Sequence, residues 1–267
     1  MTKPADAKVF LEDLTSAELR GLLGRRPLVL LPLGSQEDQG AHAPMGDFRL
    51  ATIIAGRIAA ASGALGMTTL VAPTLPFGAA DHFGLVPGGL ALSPASFRAV
   101  LVDLIGDLRR NGLERIILLN GHGGNAPIIH EVTLAIRRAG GPVIPSVYLW
   151  KIARQLMARR IGDGGGRFGH GGEPLASIGL ALRPEAMRQT LAVAPGASGR
   201  LAGYEVAGFG AIGFEGIEID APVEYHEVAP NSAAGDATKA DAALGTAVVD
   251  NLVGLVARFC VAEAARS

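Results

Sequence analysis

The stretch "GSQEDQGAHAPMGD", residues 34 to 47, places Glu37, Asp47, Gln39 and His42 directly behind the apolar run "PLVLLPL". Two later stretches carry the same kind of side chain among glycines: "NGHGGN" (120–125) with His122, and "GHGGEP" (169–174) with His170 and Glu173. Carboxylate oxygens and imidazole nitrogens without sulfur form a donor set for zinc, manganese or ferrous iron. Glu37, Asp47, His122 and Glu173 are therefore the candidate ligands, with His170 beside them. Each also has a plainer reading. A loop carboxylate is usually solvated, Glu173 could serve a helix N-terminus through the dipole, and a histidine in a glycine-rich loop is often only exposed. Taken together, the three stretches read as the separate parts of one metal site.

Such a site needs elements that bring the three loops to one place. "PLVLLPLG" (27–34) reads as a buried strand, and "FRLATIIAGRIAAASG" as the helix that follows the first polar loop. "MTTLVAPTLPFG" (67–78) is a second strand. "SPASFRAVLVDLIGDLRRNG" is a helix with Ser93 as cap, Pro94 in the first turn and Asn111-Gly112 as its stop. "ERIILLNGHGGN" supplies a third strand, "APIIHEVTLAIRRAGG" a helix, and "GPVIPSVYLW" a fourth strand. This alternation predicts an α/β fold, a three-layer αβα sandwich on a mostly parallel sheet, in which ligands bind beyond the carboxyl ends of the strands. After Trp150 the pattern weakens. A glycine-rich loop leads to a short helix at "EPLASIGLALRPEAM". The stretch from 208 to 236 reads as irregular with a hairpin. A long terminal helix follows, with Asp236 near its cap. Asn120 and Asn125 read as residues that tie down a turn and cap a helix.

Composition limits the partners. The chain has 267 residues, 49% of them hydrophobic, and a formal net charge of −1. One domain spanning 1–267 is expected, with no electrostatic reason for nucleic acid as a partner. Cys260 is the sole cysteine, which excludes an intrachain disulfide and a thiolate cluster. The charged start lacks a signal-peptide core, and no apolar run reaches the ~20 residues of a membrane span. The expectation is a cytoplasmic protein that acts on a small-molecule substrate, without a membrane.

Four stretches also carry a family resemblance. "LPLGSQEDQGAHAPMGD" is similar to the first signature of the creatininase (creatinine amidohydrolase) family, of the form LPxGSxEQHGxHLPxxTD, and "NGHGGN" matches its second. "GHGGEPLAS" resembles the third, and "GDATKADAALG" looks like the C-terminal GDPTxAxxEKG stretch. The resemblance implies the αβα fold, a centre of one or two divalent ions, and hydrolysis of an amide or another non-peptide C–N bond. It also implies a homo-oligomer, with a hexamer as in creatininase. By this resemblance Glu37 and His122 are metal ligands. Asp47 bridges two ions if one residue is deleted before it, and Glu173 replaces a carboxylate whose usual place holds Gly124. His170 handles protons near the substrate, with Glu173 as the base that takes a proton from water. His82 and Trp150 fall where relatives hold substrate. The family's second ligand histidine is Gln39 here, so Gln39 lines the site or His42 substitutes as ligand. A later glutamate of the third signature is Leu175. These two departures keep a peptidase-like relative and a binding protein without catalysis as alternatives.

Overall fold

The computed structural model describes residues 8–79, 86–229 and 231–266. His82 lies outside the described residues. A short helix α1 (Ser16–Leu23) is closed at its start by a reciprocal capping box between Thr15 and Glu18. Strand β1 (Leu28–Leu33) is buried along its whole length. It is followed by α2 (Phe48–Ala64), β2 (Thr69–Val71), α3 (Pro94–Arg110), β3 (Arg115–Asn120), α4 (Ala126–Arg138) and β4 (Ser146–Tyr148). The Ser93 hydroxyl accepts from Ser96 N and caps α3, as its sequence predicts.

The four strands form a parallel sheet in the order β2-β1-β3-β4. Period-two alternation decides which residues face which layer. Leu28 and Leu30 of β1, with Ile117 and Leu119 of β3, pack under α2. Val29, Leu31, Ile116 and Leu118 face α3 and α4, where they meet Phe97, Leu101, Ile129 and Val132. Both faces are covered, so the strands are apolar without interruption. The αβα sandwich expected from the alternation is the one observed.

Beyond β4 the chain departs from its sequence reading in three places. Helix α5 (Leu149–Ile161) starts directly after β4, where only weak order was expected. After α6 (Leu175–Leu182), residues 200–220 form an antiparallel meander instead of a lone hairpin. Its strands are β5 (Arg200–Leu201), β6 (Tyr204–Gly208), β7 (Ala211–Phe214) and β8 (Ile217–Asp220). A single turn of helix, α7 (Tyr225–Val228), precedes the terminal α8 (Ala242–Ala264). Asp241, not Asp236, caps α8 by accepting from Leu244 N, while Asp236 accepts from Thr238 N and Oγ1.

Helix α8 also corrects the expectation about length, because its 23 residues are long and apolar enough to cross a membrane. Asp250 and Arg258 interrupt the run, which hides it from a search for continuous apolar residues. Here α8 packs against α2, α5 and α6 and buries Val248, Val249, Leu252, Val256 and Cys260 in the core. Gly245 makes the crossing with α6 this close. A Cβ there would sit well inside van der Waals distance of the Ser177 carbonyl. Gly254, on the same helix, would meet only the far end of Arg258, at 3.5 Å. Gly245→Ala should therefore destabilise the protein by about 1–3 kcal/mol through forced backbone shifts. Gly254→Ala should be neutral or stabilising by up to about 1 kcal/mol through helix propensity. Urea unfolding of both variants checks this, and equal stability of the two would refute the close crossing.

Candidate metal centre and active-site cavity

The strand order sets the position of the site. From β1 the chain moves to β2 on one side and then returns to β3 on the other. This leaves a crevice between the carboxyl ends of β1 and β3, the usual ligand position of an open α/β sheet. Glu37 lies four residues beyond the end of β1, and His122 two beyond β3. Leu33 is paired with Asn120, and Gly121 N donates to Leu33 O at 2.7 Å. Asp47 arrives at the same point as the N-cap of α2. Its carboxylate does not cap that helix but accepts from Ser35 N at 2.8 Å.

Glu37, Asp47 and His122 are the three described residues whose ligand atoms converge, all within 4.8 Å of one another. His122 Nδ1 is 3.2 Å from Glu37 Oε1 and 3.8 Å from an Asp47 oxygen. All three are at most 4% exposed, so bulk solvent screens the two carboxylates from each other only weakly. Burial, followed by the Glu37 charge, pushes Asp47 up to about 8. For His122, burial works downward, but Glu37, Asp47 and the Ala79 carbonyl overcome it and raise the imidazole to about 9. Burial also opposes ionisation of Glu37. His122 outweighs it and holds Glu37 below the usual carboxylate range. Protons thus occupy the place of a cation near neutral pH. Glu37 Oε2 is buried with His122 Nδ1 at 3.2 Å beside it but no well-formed hydrogen bond. A buried carboxylate oxygen so poorly satisfied, next to a second carboxylate and an imidazole, fits a divalent ion.

Buried polar contacts fix the turn around His122. His122 N donates to Asn120 Oδ1 at 3.0 Å. Asn125 accepts from Ala79 N and donates to Gly34 O, joining three loops rather than capping α4. Gly124 admits no larger residue, since a Cβ would press on the Ala79 carbonyl and His122 Nε2. A glutamate at position 124 is sterically incompatible with this turn.

The triad opens into a cavity of about 570 Å³ that Gln39, Trp150, His170 and Glu173 also line. Gln39 Nε2 donates to Glu37 Oε1 at 2.8 Å, so the amide orients the first ligand. His42 is not among the converging ligands. It sits in a separate small niche with Arg49 and Arg183, and Gln39 lines both spaces. Burial keeps the His42 imidazole below its ordinary pKa. Trp150 Nε1 donates to Gly121 O, which fixes the indole against the β3 loop.

Glu173, a candidate ligand and base from the sequence, is placed apart from the three converging residues. It lies in the cavity wall but does not join the triad. Its Oε1 accepts from Arg167 Nη2 at 2.8 Å and Ser177 Oγ at 2.6 Å, and its Oε2 from Ser177 N. Arg167 thus pairs with the charge of this buried carboxylate, and Ser177 donates to both of its oxygens. His170 Nε2 donates to Asp38 O at 2.5 Å, and its ring lies edge-on to Tyr225 at 4.6 Å. The sequence reading missed Tyr148, Tyr225, Lys151, Arg154 and Phe209, all in the cavity wall. Burial together with the Asp47 and Glu37 charges pushes Tyr148 up to about 12. No local motif marks these residues, because they reach the cavity only through β4, α5, the meander and α7.

Fold and site define a class: an αβα protein with a buried carboxylate–imidazole cluster at the switch point of its sheet. The family model for creatininase, described as creatinine amidohydrolase, matches residues 12–260, and the chain belongs to that family. It is 32% identical over 133 residues to the mycofactocin precursor peptide peptidase of Mycolicibacterium smegmatis, covering 49% of this chain and 53% of that protein. It is 34% identical over 140 residues to creatinine amidohydrolase of Pseudomonas putida, covering 48% and 51%. The match spans about half the length of these curated relatives. A solved creatininase aligns over 94% of this chain and 96% of its own, with a TM-score of 0.74 at 24% identity, which shows the shared fold.

The protonated triad makes metal binding pH-dependent. Asp47 and His122 hold protons below about 8 and about 9, and both must lose them to act as ligands. Zinc or manganese affinity should rise as pH increases towards those values, with net proton release near neutral pH. Calorimetry in buffers of different ionisation heat measures that release. No release and a pH-independent affinity would rule out this triad as the binding site. Glu37→Gln and His122→Ala should each lose most of the metal.

Proposed function

We propose that this chain is a metal-dependent hydrolase of an amide or another non-peptide C–N bond in a small molecule. The observation that carries the reading is the buried Glu37–Asp47–His122 cluster opening into a cavity large enough for a small substrate. Glu37, Asp47 and His122 would hold a divalent ion such as zinc or manganese. Such an ion activates water near neutral pH and polarises a carbonyl.

The remaining work falls to the protein's own groups. Gln39 orients Glu37 through its 2.8 Å hydrogen bond, and Trp150 closes one wall. The Asp38 carbonyl can only accept, so Nε2 of His170 donates to it, and the imidazole so oriented lines the cavity beside the cluster. His170 is thus the group that delivers a proton to the leaving nitrogen. Glu173 holds the loop that presents His170: its N and O atoms bond to Arg167 O and Gly169 N. A neutral amide at position 39 is a weaker ligand than imidazole, so one tightly held ion is the reading for this chain. We also propose a closed homo-oligomer. Several large apolar side chains of the meander, among them Phe214, Ile217 and Ile219, are exposed, and burying them between copies would remove them from water. Light scattering at micromolar concentration reads this, and a monomeric mass would contradict it.

The peptidase relative favours a second reading, cleavage of a short peptide. Both are tested by one screen of the metal-loaded protein against cyclic amides, linear N-acyl amides and short peptides. Turnover of a non-peptide amide, lost with chelator and restored by zinc or manganese, is the expected result. His170→Ala should lower kcat by about 100-fold or more with metal content intact. Turnover confined to peptides would select the second reading, and turnover that survives chelation would refute the metal-dependent one.

A further inference from the structure

The charges lining the cavity do not cancel. Its acidic members are Glu37, Asp47 and Glu173. The first two belong to the proposed ion, which matches their combined charge, and Arg167 neutralises the third at 2.8 Å. Lys151 and Arg154 remain on the same wall. They stand three residues apart on α5, so they share a helix face. Both are exposed to solvent, and neither makes an ion pair among the described residues. The Arg154 guanidinium lies 5.0 Å above the centre of the Phe168 ring, a contact that holds it at the wall without satisfying its donors. Helix α5 begins immediately after β4, and β4 pairs with the strand that delivers His122. The two cations are therefore carried on the same rigid framework as the proposed metal centre.

We infer that the substrate bears an anionic oxygen group, carboxylate or phosphate, apart from its scissile amide, and that Lys151 and Arg154 receive it. This deepens the hydrolase reading and rests on it. A cation pair at the open side of a cavity adds selectivity and encounter rate more than tight binding. Arg154 offers a planar fork for two oxygens, and Lys151 a mobile point charge beside it. Neutral amides would reach the metal centre but gain nothing at the rim.

The test uses three probes with a common hydroxamate, which binds metal, on a two-carbon spacer. They end in a carboxylate, a phosphonate or a carboxamide. Calorimetric titration of the full-length metal-loaded protein should show the carboxylate or the phosphonate binding at least about fivefold tighter than the carboxamide. Whichever anion gains more identifies the group. Lys151→Met and Arg154→Met should each reduce that preference by about two- to fivefold without changing carboxamide affinity. Arg154→Lys should keep most of it. Raising salt from about 0.05 M to about 0.5 M should shrink it, because the rim is solvent-exposed. Equal affinity for all three probes, or a preference that survives in the double Met variant, would overturn the inference alone. Failure of every hydroxamate to bind the metal-loaded protein would overturn the hydrolase reading beneath it.

Discussion

Two carboxylates and an imidazole buried side by side are the constraint to which the rest of the molecule answers. Glu37 and Asp47 repel each other in a medium that screens little, and neither can move away into solvent. His122 relieves part of that repulsion as a cation, and the proton on Asp47 relieves more. A divalent ion would relieve it outright. The cluster is costly to assemble, and the scaffold around it has to supply what offsets the cost.

That scaffold consists of backbone contacts made at the ends of strands. Ser35 N holds Asp47, Asn120 holds His122 N, and Asn125 ties the loops of β1, β2 and β3 together. Each of these bonds is buried, so breaking one would leave a polar group unsatisfied rather than returning it to water. The two packed faces of the sheet keep β1 and β3 in register, and register carries Glu37 and His122 to the same height. The core and the site are in this sense one mechanical unit. The close crossing of α8 over α6 belongs to it too. Ser177, whose carbonyl faces Gly245, is the residue whose hydroxyl holds Glu173.

The second half of the chain builds the cavity rather than the cluster. Helix α5 brings Lys151 and Arg154, α7 brings Tyr225, and the meander brings Phe209. These residues surround an opening whose depth is set by the first half. Fold alone does not fix a substrate, and proteins similar to this chain carry names as different as a peptide peptidase and a creatinine amidohydrolase.

Much of this was legible in the sequence wherever the determining physics is local. Uninterrupted apolar runs marked β1 and β3, Ser93 and Pro94 marked the start of α3, and the polar loops behind the strands marked Glu37, Asp47 and His122. Strand order then needed only the general rule for parallel sheets to place those loops together. Other features depend on partners far away in the chain. Glu173 reads as a ligand from its motif, and only the folded chain brings Arg167 and Ser177 to its carboxylate. His42 reads as a substitute ligand until its ring turns into a separate niche and Gln39 takes the contact with Glu37. Nothing near Lys151 or Arg154 announces a cavity, since helix position alone brings them to it. Residue type states what a side chain can do, and its neighbours in space decide which of those capacities remain available. Sequence therefore determined the sheet and the donor set, whereas tertiary packing decided which donors meet and which are already satisfied.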